Sequence, residues 1–291
     1  MPSRKVNLNV TVVGLSWVVL AGVNFVGFVV LIKYVGSELP PVQAAFIRYL
    51  FGFVVLLPLF IRNGTHIFDT KHIHLHGLRG FIQALAVMLW FYAVTKLPIA
   101  EVTALGFVSP IFVVFGAVFF LRERMNKARI AAVVLGLVGV FVILRPGFSV
   151  INSGSVAMLL AAPLFAASKV LTKYLVKHDS GATIVVYLSV FAALTMAIPA
   201  ISVWTQPSGL NLLLLAGTAL FATMAHLCMA RGLALIDVTV SQPVDFLQLV
   251  WSTLIGIMLF SETPVVWIWI GGGIVVVSAS YIARFEVKRT Y

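Results

Sequence analysis

A few polar side chains stand at positions where an otherwise apolar chain has no ordinary use for them. Asp245 is the one carboxylate set well inside a long apolar segment, and His226 is a second titratable group so placed. Lys169 and Arg48 lie about two helical turns from the ends of theirs. Ionisable groups in such segments are costly and face a bundle interior or a wet cavity. Asp245 is therefore a candidate proton carrier or amine partner, and the imidazole of His226 can donate and accept a hydrogen bond at once. Amides and aromatics recur beside them at helical spacing. Trp17, Ala21, Asn24 and Phe28 share one face, Arg79, Gln83 and Trp90 a second, and Gln242, Asp245, Gln248 and Ser252 a third. Three such faces suit a central cavity that hydrogen-bonds a polar headgroup and stacks a ring. The expected ligand-contacting set is Trp17, Asn24, Gln83, Trp90, His226, Asp245 and Gln248. The competing expectation is that these groups bond helix to helix, at about 1–2 kcal/mol per contact, with no ligand.

The same inventory argues against covalent chemistry. The chain has no HExxH, no GxSxG and no Walker sequence, and no second intramembrane carboxylate to pair with Asp245. We expect no enzyme, no catalytic residues and no cofactor. His66, His72, His74 and His76 are the one constellation that invites a metal, since an extended strand would align the last three. A connecting loop without Cys or carboxylate support makes a resident metal the lesser expectation. The lone cysteine, Cys228, excludes an intramolecular disulfide and is expected to pack. Lys169 is expected to snorkel to a lipid interface or line the cavity, Arg48 to snorkel or make a structural hydrogen bond, and Glu123 and Glu262 to pin loop ends.

The elements that position these residues follow from composition. The 291 residues are 61% hydrophobic and 10% charged, with a mean hydropathy of +1.09. No soluble fold of this size hides that much apolar surface. Ten apolar spans are expected at 9–33, 41–61, 77–95, 99–121, 128–144, 153–176, 181–203, 211–232, 238–260 and 265–284. Runs of this length without strict alternation satisfy their backbone as helices, so the expected fold is an all-α polytopic membrane protein. With both termini cytoplasmic, all but five of the twenty Lys and Arg residues fall inside: Lys33, Lys96 and Arg145 lie outside, and Arg48 and Lys169 lie within spans. That is the positive-inside pattern, so the net charge of +11 reads as topology and attraction to anionic lipids rather than nucleic-acid binding. Arg4 and Lys5 precede a run too long for a cleaved leader, which we read as an uncleaved first helix.

Sliding the chain by 139 residues pairs Phe107 with Phe246, Glu123 with Glu262, Val138 with Val277, Ile143 with Ile282 and Arg145 with Arg284. The offset covers five spans, an odd number, so the halves are expected to be inverted, the arrangement that underlies alternating access. Pro58, Pro110, Pro163, Pro199 and Pro243 fall within spans as kinks or hinges. Gly136, Gly139 and Gly271-Gly272-Gly273 are suited to close helix packing or a dimer face.

The stretch from Tyr92-Ala93-Val94-Thr95-Lys96-Leu97-Pro98 to Glu101, then Ser109-Pro110, Leu121-Arg122-Glu123-Arg124, Gly136-Leu137-Val138-Gly139 and Arg145-Pro146-Gly147, resembles the first repeat of the drug/metabolite transporter superfamily, EamA type. Gln242-Pro243-Val244-Asp245-Phe246 and Phe260-Ser261-Glu262 resemble its second repeat, although Leu249 stands where the first repeat has Pro110. The resemblance implies two five-helix repeats, 1–147 and 148–291, in one multi-pass bacterial inner-membrane protein. It further implies a secondary transporter exporting amino acids or related small metabolites. Alternatives are movement of a nucleobase, a vitamin or a cationic drug, and, less favoured, a divalent-metal carrier using the His loop. Its partners would be a small-molecule substrate and membrane lipids, in a monomer or a dimer.

Overall fold

The structure is a computed structural model that describes residues 8–35, 38–96, 105–106, 108–144, 153–260 and 266–288. Every regular element among them is helical. Helix α1 is Leu8–Val35, α2 Pro41–Val55, α3 Leu57–Asn63, α4 Ile73–Lys96, α5 Ser109–Leu121 and α6 Lys127–Leu144. The second half supplies α7 Ser153–Leu175, α8 Gly181–Ser202, α9 Gly209–Leu235, α10 Val238–Asp245, α11 Leu247–Phe260 and α12 Val266–Lys288.

Local chemistry sets many of these boundaries. Pro41 opens α2 and Pro110 opens α5, where a missing N–H costs nothing. Ser180 and Ser208 cap α8 and α9 by accepting from the backbone N–H of Thr183 and Asn211, each at 3.1 Å. Arg122 ends α5 in the left-handed conformation at φ 55°. The expected second span is broken at Leu56, just before Pro58, into α2 and α3, and the expected ninth is broken at Phe246 into α10 and α11. The expected fourth span begins with residues outside the description, as do Glu101, Phe107, Glu262 and the Arg145-Pro146-Gly147 turn.

Six of the described segments are long and apolar enough to cross a membrane: Val10–Ile32, Pro41–Ile61, Ile73–Val94, Ser153–Leu175, Gly181–Ser202 and Gly209–Leu235. Their outer faces carry bare apolar side chains, Ile61 at 86% and Ile198 at 82% exposure among them, and the shorter α5 does the same with Phe120 at 81%. Bundle helices whose outside is as apolar as this are at home in hydrocarbon.

The packing repeats itself with the halves exchanged. Helix α1 lies mainly against α9 as α7 lies against α4, α4 meets α8 as α9 meets α2, and α5 meets α7 as α10 and α11 meet α1. The α2–α8 and α6–α12 contacts are their own images. One detail carries the relation to single atoms. Ser278 Oγ donates to Ala132 O at 2.6 Å, and a Cβ on Gly139 would come within 2.8 Å of Gly271 O. Residues 132 and 271, and likewise 139 and 278, are related by the same 139-residue step. The interior is divided among several small clusters, the largest joining Ala44, Ala45, Tyr49, Ala84, Val87, Phe91, Leu188 and Ala192 of α2, α4 and α8.

Candidate functional site

Asp245 is the last residue of α10, at the break before α11, and there it forms an ion pair with Lys169 of α7. The two side chains are 18% and 19% exposed, so the pair is sheltered but reachable. Gln242 Nε2 donates to the same carboxylate oxygen at 3.2 Å and Ser241 Oγ at 3.4 Å. An interrupted helix ending in a carboxylate and served by three donors is a fixed polar station inside an apolar bundle. Of the two expectations for Lys169, the pairing favours the interior over the lipid interface: an acid within reach satisfies the ammonium more completely than a stretched path to the interface.

Aromatic and basic groups gather along α1. The rings of Phe28 and Trp90 lie 6.3 Å apart. The ring of Phe25 meets that of His226 edge-on at 5.4 Å. The guanidinium of Arg48 sits 3.8 Å from the centre of the Tyr49 ring and 5.4 Å from that of Phe28. Arg48 is 4% exposed, so it does not snorkel; its Nε has no acceptor among the described residues, and ring faces lie against its charge. Gln83, one of the buried amides, is on α4 two turns before Trp90, and Gln248 of α11 approaches Gly22 of α1. The 22–28 stretch of α1 is thus a hub that α2, α4, α9 and α11 all reach.

Two expected members stand apart. Asn24 turns its amide to its own helix, donating to Leu20 O at 2.8 Å. Trp17 lies under the guanidinium of Arg231 at 4.9 Å, where Gly232 lets α9 approach the backbone of α1 at Gly14. Ser252, placed with Asp245 and Gln248 by periodicity, has a side chain outside the description.

The histidine segment does not align as an extended strand would align it, because α4 begins at Ile73 and rotates successive residues by about 100°. His76 Nε2 lies 2.9 Å from Asp179 Oδ2, which also accepts from Thr70 Oγ1 at 2.8 Å. The His72 and His178 rings are 4.5 Å apart. Among the described residues no group of three or more His, Cys, Asp and Glu is arranged to hold a metal. These contacts tie the halves together at the end of the bundle rich in basic residues, and others join them there. Glu123 accepts from the backbone N–H of Val238 at 2.9 Å and of Thr239 at 3.1 Å, capping α10, while Arg129 pairs with Asp237 at 3.0 Å. Lys173, one of the charges counted to the cytoplasmic side, is buried and donates to Leu233 O and Ile236 O at the end of α9. A separate groove of about 600 Å³ runs between α1 and α12, past Val12, Leu15, Val19 and Ala283; its apolar lining belongs to the lipid-facing flank rather than to this interior.

A helical bundle with a bare apolar girdle, halves packed as exchanged copies and a buried polar station is the build of a membrane carrier. The profile of the EamA-like transporter family matches the chain twice, over residues 12–145 and 152–284, and the chain belongs to that family. It is a multi-pass inner-membrane transporter, not an enzyme. Similar proteins include the riboflavin transporter of Vibrio cholerae, 30% identical over 285 residues that cover 95% of each chain. The S-adenosylmethionine uptake transporter of Rickettsia felis is 30% identical, covering 86% of this chain and 85% of its own. The pseudopaline exporter of Pseudomonas aeruginosa is 26% identical, covering 93% and 96%. A crystal structure with 19% identity superposes with a TM-score of 0.79 over 94% of this chain and 98% of its own, a likeness of fold.

Proposed function

We propose that this chain is a secondary transporter that carries a small metabolite bearing a planar heteroaromatic ring, with the ring stacked against Phe28 and Trp90. Ten spans in two inverted repeats, 1–147 and 148–291, with both termini in the cytoplasm, rock about this interior to expose it to either side. His226, Gln83, Gln248 and the Lys169–Asp245 pair supply polar contacts around the ring. The observation that carries the reading is the convergence of Phe25, Phe28, Trp90 and His226 on one stretch of α1. The relatives' substrates support the same class: riboflavin and S-adenosylmethionine each join a planar heteroaromatic system to a flexible polar tail. Amino-acid export, implied by the family resemblance, is the alternative that the test must separate. Direction follows the solute gradient unless Asp245 couples it to protons.

The test is solute flux in proteoliposomes holding the purified protein, with labelled riboflavin, S-adenosylmethionine and a panel of amino acids, with and without a pH gradient. Saturable flux of a ring-bearing solute, reduced about tenfold or more in Trp90→Ala at equal folded protein, is the expected result. Flux of amino acids alone would replace the substrate class, and ring-solute flux untouched by Trp90→Ala would move the site.

A further inference from the structure

Arg48 and Arg79 are buried without a carboxylate partner among the described residues. Arg48 and Arg79 are 4% and 3% exposed, and each belongs to a segment long and apolar enough to cross the membrane. A guanidinium stays protonated in such surroundings, so its charge needs an answer. Among the acids whose side chains are described, Glu38, Asp69, Glu123, Asp179, Asp237 and Asp245, each is bonded elsewhere. Arg79 Nη1 donates to Ile184 O at 3.0 Å, while its Nε has no acceptor among the described residues. Arg48 Nε and the hydroxyl of Tyr49 beside it are likewise buried without a partner there. The aromatic faces against Arg48 attract its charge but leave its Nε–H without an acceptor among the described residues. Arg79 shares one face of α4 with Gln83 and Trp90, so it borders the same interior as the rings. Phe28, 5.4 Å from Arg48, is also the partner of Trp90.

We propose that Arg48 and Arg79 receive an anionic group, a phosphate or a carboxylate, carried by the transported metabolite, while Phe28 and Trp90 hold its ring. The proposal deepens the transport reading above and rests on it for the location of the substrate. A planar fork matches an oxyanion with two parallel N–H bonds, and a ligand that brings the counter-charge satisfies donors that the empty protein leaves idle. The Lys169–Asp245 pair is neutral as a unit and leaves this role open. The substrate class that fits is a ring compound whose tail bears an anionic group.

The experiment compares riboflavin with its 5′-phosphate ester, flavin mononucleotide. Each is used unlabelled to compete with labelled riboflavin flux in proteoliposomes, and each is added to purified protein in a thermal unfolding assay in detergent. The ester is expected to compete at a concentration about tenfold lower or less, as charge-assisted hydrogen bonds imply, and to raise the melting temperature more. Arg48→Gln and Arg79→Gln should each erase that preference, read in the folded variants as the ratio of the ester's effect to riboflavin's on the melting temperature, and Arg48→Lys should keep part of it. Equal or weaker action of the ester on the native protein overturns the proposal without any variant, as does an unchanged preference in folded Arg48→Gln. Ester-specific stabilisation without flux of any flavin would sink the transport reading and leave the anion site standing; riboflavin flux with no preference for the ester would do the reverse.

Discussion

At Asp245, carboxylate and ammonium stand together where neither tolerates solitude. Removing one partner of a sheltered pair costs about 3–5 kcal/mol because the other charge stays behind, whereas replacing both with apolar groups is close to neutral. Asp245→Leu is therefore expected to lower the thermal stability of the purified protein sharply, and Lys169→Met combined with Asp245→Leu to recover most of it. A double variant as unstable as the single one would show that Ser241 and Gln242, rather than Lys169, define the station. In flux assays Asp245→Asn is expected to blunt any response to a pH gradient, and an unchanged response would make the acid structural. Both residues stand out in the sequence as charges inside apolar runs. Their partnership does not, because it spans 76 residues of chain and depends on α10 stopping at Phe246. Arg48 is misread for the opposite reason: its neighbours are the faces of aromatic rings, which leave no polar signature at helical spacing.

Helix-to-helix approach is controlled by small residues. A Cβ on Gly136 would lie 2.2 Å from the ring of Phe246, and one on Gly139 would lie 2.8 Å from Gly271 O, whereas one on Gly273 would meet nothing within 4 Å. Gly136→Ala is thus expected to destabilise by about 1–3 kcal/mol, and Gly273→Ala to be nearly neutral, in the same unfolding assay. Equal effects would mean that α6 and α12 slide freely past Phe246. Glu123 holds α10 by its first turn, so Glu123→Gln should cost about 1 kcal/mol through the weakened cap. The helices were legible because lipid demands long apolar runs and Pro, Gly and Ser mark their ends. The interruptions at Leu56 and Phe246 were less so. Pro58 stands next to the first, but Pro243 lies inside α10 without breaking it at that point, and the stop falls where the neighbouring helices reach the chain.

Orientation is a property of the entire molecule and is open to direct measurement. On a Cys228→Ser background, cysteine at Lys71 is expected to react with a membrane-impermeant maleimide only after cells are opened, while cysteine at Gln206 should react in intact cells. The reverse pattern would invert the topology read from basic residues. Both positions are exposed. The duplication was visible in the sequence as a thin run of matches, and its geometry emerges in paired contacts such as Ser278 with Ala132 against Gly139 with Gly271. The Lys169–Asp245 pair has no such image, because a step of 139 residues carries it to Val30 and Gly106. Two copies related by exchange alone would leave the unloaded molecule indifferent between its two openings, like a balanced seesaw. In the alternating-access cycle proposed above, one charge pair on one side would unbalance it: the resting population is expected to lean toward the opening in which that pair is better satisfied, by about tenfold for each 1.4 kcal/mol of difference.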